Sequence, residues 1–145
     1  MHEMGIAGGI VEYSLSLVDE RRASRVTEIW VEVGELMQVD VEALSEALRT
    51  LLSGPKLSGA KTNVKVRSAA FSCRRCGEGW KMDEVKKQLA SVPSSLLVEE
   101  PDSDEVPLHF LPYLYPAFVH CPKCGSSDVA VADGQDVQLM RVVLE

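Results

Sequence analysis

Apolar residues recur along the start of the chain at intervals of three and four. Met4, Ala7, Val11, Ser14 and Val18 form one stripe, with Ile10 and Leu17 beside it, and this spacing predicts an amphipathic helix over residues 4–19. Gly5, Gly8 and Gly9 each weaken a helix by up to about 1 kcal/mol against Ala, so its first turns depend on packing. The period then changes to two. Between Arg25 and Gly34, Thr27, Ile29, Val31 and Val33 alternate with Glu28, Trp30 and Glu32, which predicts a strand with one apolar and one mixed face. Asp40 is placed to N-cap a second helix that turns Val41, Leu44, Leu48, Leu51 and Leu52 inward, and Ser53-Gly54-Pro55 stops it. A second alternating run, Thr62 to Arg67, sets Val64 and Val66 opposite Lys65 and Arg67. The last, Val137 to Leu144, follows a stretch of turn composition, Asp133-Gly134-Gln135-Asp136.

Two helices packed on a three-stranded sheet make a minimal α+β domain, and its last strand must return from the far end of the chain. The organisation expected is therefore one domain from residues 1–69 plus 133–145, with residues 70–132 inserted as a separate module.

Composition narrows the function. In 145 residues no stretch approaches the roughly 20 apolar positions of a membrane-crossing helix. Glu3 stands where a secretory signal has basic residues, so the expected location is the cytoplasm. The net charge of −7 argues against binding phosphate backbones, with Cys73-Arg74-Arg75-Cys76 the one candidate basic patch. No GxxxxGK(S/T) phosphate loop, no HExxH and no Ser/His/Asp set is present, which points away from an enzyme.

The chemistry concentrates in four cysteines. Cys73-Arg74-Arg75-Cys76-Gly77 and Cys121-Pro122-Lys123-Cys124-Gly125 are two Cys-x-x-Cys-Gly turns. Such a turn aims two thiolates at one point, and the glycine suits a backbone position of positive φ. Four sulfurs match tetrahedral zinc, which contributes about 10–16 kcal/mol of apparent binding free energy to a small module. Phe71 and Pro122 flank the turns and are placed to shield one side of the metal. The 44 residues between Cys76 and Cys121 exceed the roughly 15–20 of an ordinary zinc ribbon. Three alternatives stay open at this level: unlinked thiol pairs, iron in a rubredoxin-like redox site, and a zinc-ribbon adaptor or nucleic-acid-binding module. The interval itself holds five carboxylates among residues 99–105, consistent with a solvated loop. After it comes Pro107-Leu108-His109-Phe110-Leu111-Pro112-Tyr113-Leu114-Tyr115-Pro116, whose prolines forbid a regular helix. His120 abuts Cys121 and is either a competing metal ligand or an exposed neighbour.

The chain opens Met1-His2-Glu3-Met4. The terminal amine and the His2 amide nitrogen close a five-membered chelate ring, and the His2 amide and Nδ1 close a six-membered one. Nickel(II) and copper(II) prefer such planar nitrogen sets, with the Glu3 amide or a second imidazole as fourth donor. The alternative is a terminus whose histidine does nothing.

These features together resemble one family. The Met1-His2-Glu3-Met4 start, the strand Ile29-Trp30-Val31-Glu32-Val33-Gly34-Glu35-Leu36 and the two Cys-x-x-Cys-Gly turns are similar to those of the HypA family of hydrogenase-maturation nickel metallochaperones, along nearly the whole chain. The resemblance implies a cytoplasmic, two-domain protein: a nickel-binding α+β domain with a zinc-binding domain inserted before its last strand. It implies delivery of nickel(II) to the large subunit of a nickel–iron hydrogenase, together with a maturation GTPase. Nickel then falls on Met1, His2 and Glu3, and structural zinc on Cys73, Cys76, Cys121 and Cys124. The long interval between the cysteine pairs resembles archaeal-type members, in which a histidine at the position of His109 completes the nickel square.

Overall fold

The computed structural model describes residues 2–90 and 119–145, apart from the side chain of His2. Helix α1 runs His2–Glu20 and buries Ala7, Ile10, Val11, Ser14 and Val18. Met4, at the head of the predicted stripe, is instead 52% exposed. A serine fits this apolar face because its Oγ donates to the Ile10 carbonyl at 2.7 Å, which satisfies the hydroxyl inside the helix.

Strand β1 (Val26–Gly34) follows the predicted alternation from Ile29 onward, with Ile29, Val31 and Val33 buried. Thr27 departs from it. The register shifts between Val26 and Glu28, so Val26 is fully buried and the Thr27 hydroxyl donates to the Val143 carbonyl at 3.2 Å. A bulge inserts one residue and reverses which parity faces inward. A short 3-10 turn, Glu35–Met37, precedes α2 (Val41–Leu51). Asp40 caps α2 as expected, its Oδ1 accepting from the Ala43 N–H at 3.1 Å, and Leu44, Ala47 and Leu48 are buried. Strands β2 (Lys61–Arg67) and β6 (Val137–Leu144) flank β1 in the order β2-β1-β6, with β6 antiparallel to β1. Val64 packs against this core, whereas Val66 is 54% exposed.

A second sheet holds β3 (Ala70–Cys73), β4 (Gly79–Lys81) and β5 (Val129–Asp133), with β3 central and antiparallel to both neighbours. Helix α3 (Met82–Ala90) follows β4 directly. Phe71 and Trp80 stack with ring centroids 6.3 Å apart, within a core that also holds Met82, Val85, Leu89, Val119 and Val129. This sheet and α3 were not expected from the periodicity. The spacing of Met82, Val85 and Leu89 is the signal that marks α3, and the three short strands offer little alternation to detect.

The chain divides into two compact units. One comprises Met1–Val33, Val39–Val66 and Val137–Glu145, the other Gly34–Gln38 and Arg67–Asp136. Within the second unit three backbones crowd together. The Leu36 N–H donates to the Gly134 carbonyl at 2.9 Å, and the Ala69 N–H to Glu35 Oε1 at 2.9 Å. A Cβ on Gly34 would overlap the Gly134 carbonyl, and a Cβ on Gly134 would lie 2.5 Å from the Ala69 Cα. Gly134 also has φ +83, a conformation that costs other L-residues strain. Gly134→Ala is therefore expected to destabilise the chain by about 2–4 kcal/mol, overpacking adding to the left-handed backbone. A urea unfolding curve checks this.

No helix among the described residues is long and apolar enough to cross a membrane.

Candidate metal centres

The two cysteine turns fold alike, bond for bond. In the first, the Cys73 N–H donates to Glu78 O at 2.8 Å and the Gly77 N–H to Cys73 O at 2.9 Å. In the second, the Cys121 N–H donates to Ser126 O at 2.8 Å and the Gly125 N–H to Cys121 O at 3.0 Å. Gly77 and Gly125 hold φ of +80 and +76, the left-handed step that closes each turn. Backbone amides then point at sulfur. Arg75 and Cys76 donate to Cys73 Sγ at 3.3 and 3.4 Å, and Lys123 and Cys124 to Cys121 Sγ at 3.4 Å each.

The four sulfurs converge, all within 4.8 Å of one another. Cys73 and Cys124 approach to 3.6 Å, Cys76 and Cys121 to 3.5 Å. A zinc tetrahedron with bonds of about 2.3 Å has edges of about 3.8 Å, so the donor set fits that ion in number, type and size. Cys73 and Cys121 are buried while Cys76 and Cys124 are exposed, so each turn supplies one inner and one outer ligand.

The thiols are inequivalent. The Cys76 amide, foremost, and the Arg75 amide draw Cys73 down to about 7. Cys76 is pushed up to about 12: the Glu78 amide favours its thiolate but is outweighed by burial and by the three neighbouring sulfurs. Burial works against the Cys121 thiolate, yet the Cys124 and Lys123 amides still place it below the ordinary thiol value. Four thiols so close cannot all ionise without a cation to share, which is the electrostatic case for a metal here.

Around the turns, Arg74 pairs with Asp128 at 3.0 Å, so the candidate basic patch is partly neutralised. Arg67 reaches both carboxylate oxygens of Asp133 at 3.0 Å. That guanidinium, then the Gly134 N–H, hold the Asp133 carboxyl below the usual range. Phe71 is buried against Trp80, and Pro122 is exposed.

The other predicted ligands are placed less fully. Met1, the side chain of His2 and His109 lie outside the described residues. Glu3 opens the first turn of α1, and its carboxylate accepts from the Asp40 N–H at 3.2 Å. The backbone N–H groups of His2 and Glu3 belong to that first turn, where no preceding carbonyl competes for them as helix donors. His120 is exposed and joins no group of potential ligands among the described residues, whereas its backbone is bonded on both sides by Gln88. Sequence reasoning missed Gln88, because nothing local signals a partner 32 residues away.

Comparison with known proteins places this geometry. The family model described as "Hydrogenase/urease nickel incorporation, metallochaperone, hypA" matches residues 1–144. A protein of Pyrococcus abyssi named hydrogenase maturation factor HypA is 34% identical over 145 residues, covering all of this chain and 96% of its own. Its namesake from Pyrococcus furiosus is also 34% identical over the same span. Among solved structures, the solution structure of the nickel metallochaperone HypA from Helicobacter pylori superposes with a TM-score of 0.57 at 14% identity, covering 98% of this chain and 96% of that one, a likeness of fold.

Proposed function

The chain belongs to the HypA family of nickel-incorporation metallochaperones, and from that premise we propose that it carries nickel(II) on its first residues to the large subunit of a nickel–iron hydrogenase. A family of metal carriers is not an enzyme family, and the work it does is binding and release. The observation that carries the reading is the match over residues 1–144 joined to the Met1-His2-Glu3 start. Relatives named as hydrogenase maturation factors favour hydrogenase as the recipient.

In this reading the nickel donors are the Met1 amine and the His2 amide and imidazole, with the Glu3 amide or the His109 imidazole as the fourth. The two amides sit in the first turn of α1, where a deprotonated nitrogen breaks no helix bond and is favoured by the positive end of the helix dipole. The Glu3 carboxylate, bonded to Asp40, anchors that turn. Zinc is assigned to Cys73, Cys76, Cys121 and Cys124, whose sulfurs fill a tetrahedron and leave no open position, so its part is structural. With no phosphate-binding loop in the chain, nucleotide hydrolysis belongs to a partner, a maturation GTPase. The cytoplasm, where hydrogenase subunits are assembled, is the proposed location.

Nickel affinity tests this. The amine and imidazole must be unprotonated to bind, and the amides must shed protons. Binding therefore strengthens as pH rises, the amides giving up their protons only to the metal, and is lost as pH falls. Affinity is expected to drop about tenfold or more per pH unit between pH 7 and pH 5. Titration by calorimetry across that range checks it, and a flat profile overturns the donor set.

A further inference from the structure

We infer that Gln88 is a positioning residue of the thiolate centre: its carboxamide stands in for a neighbouring strand and fixes the second cysteine turn against α3. The inference rests on the proposal that the four cysteines hold zinc. It begins from an asymmetry. The two turns share the same internal bonds, yet only the first is entered from a strand; the second is entered from outside the sheet and leads into β5. Cys73 closes β3, where it pairs with Val129 on β5, while Ser72 pairs with Gly79 on β4 and the Arg74 N–H donates to Asp128 O at 2.9 Å. Val119 and His120, which lead into Cys121, belong to no strand.

One side chain supplies what a strand would. The His120 N–H donates to Gln88 Oε1 at 2.9 Å, and Gln88 Nε2 donates to the His120 carbonyl at 2.8 Å. A residue in an antiparallel ladder exchanges the same pair of bonds with its partner, one given and one received. A primary carboxamide carries that donor and acceptor side by side on one planar group, as a backbone peptide does. Gln88 is held to the task. It is 9% exposed, lies beside Leu89 on α3, and Nε2 has Glu84 Oε1 at 3.5 Å. Val85 and Leu89 of α3 share one core with Val119 and Cys121.

The consequence falls on sulfur. His120 is covalently next to Cys121, whose Sγ lies 3.5 Å from Cys76 Sγ across the centre. Groups that orient metal ligands from outside typically contribute 10–100-fold to affinity. Gln88 does so through the backbone, and selectively for the second turn.

Selectivity makes the test. The full-length chain and the variants Gln88→Leu, Gln88→Glu and Leu89→Ala are exposed to an alkylating reagent at saturating zinc, and initial modification of each cysteine is followed by mass spectrometry alongside zinc competition against a chelator. Gln88→Leu is expected to lower zinc affinity about 10-fold or more and to speed modification of Cys121 and Cys124 about tenfold relative to Cys73 and Cys76. Gln88→Glu keeps the acceptor for the His120 N–H but sets a charge against the His120 carbonyl, and falls between. Leu89→Ala, which loosens the shared core, speeds all four thiols together. Equal acceleration of all four in both Gln88 variants, or none, overturns the inference while leaving zinc in place. An unaltered chain that takes up no zinc overturns the metal assignment and this inference with it.

Discussion

Replacing His2 by Ala, or acetylating the Met1 amine, is expected to abolish nickel binding while leaving the cysteine centre loaded. The reason is chelation. Once the amine is bound, the His2 amide and imidazole face the metal at an effective concentration no free ligand reaches, a gain on the order of 10²–10⁴ for each linked donor. His2→Ala opens the six-membered ring. Acetylation converts the Met1 amine to an amide and leaves no amine to anchor the chelate. Either change should lower nickel affinity by at least about 100-fold. The cysteines lie in the other compact unit, so metal analysis should still find the same zinc content. Calorimetric titration of both forms reads the effect. Nickel held equally tightly by the acetylated chain would show that the site lies elsewhere.

The second large effect is expected at Cys121→Ser, which should empty the thiolate centre and unfold the unit around it. Among the described residues ten buried ones form this core, and two of them are the proposed ligands Cys73 and Cys121. Its strands run only three to five residues, so their own ladder holds the sheet weakly. Among the described residues the other unit has twelve buried apolar residues and no cysteine, so it should persist. Amide NMR spectra are expected to lose the dispersed signals of residues 67–90 and 119–136 and to keep those of 2–33 and 39–66. Stripping the metal with a chelator should reproduce the pattern. Elemental analysis of the unaltered chain separates zinc from iron in the same preparation.

Much of this architecture was readable from residue order, for identifiable reasons. Long periodic runs carry their own signal: α1, β1, α2 and β6 each span at least eight residues and emerged near their observed bounds. What failed depends on pairing. Thr27 reads as an inward position until β6 imposes a bulge beside it, and Met4 continues the stripe of α1 yet is exposed in the structure. β3 to β5 are shorter than any reliable period. The cysteine turns declared themselves because thiolate geometry and the following glycine are local requirements, and the structure brings the four sulfurs together. Gln88 could not declare itself, since a carboxamide acting on a distant backbone leaves no mark on its own neighbours. Of the proposed nickel ligands, Met1, His109 and the side chain of His2 fall outside the described residues, and that part of the site stays with the chemistry of the first residues.

The strand orders carry one more implication. Each sheet draws two strands from positions before 90 and one from positions after 119: β5 completes one and β6 the other. A molecule severed between those positions would therefore still consist of two interlocking pieces, joined by both ladders and by sulfur from either side. Continuity of the polypeptide is not what binds the halves; complementation from separately expressed fragments is built into the topology.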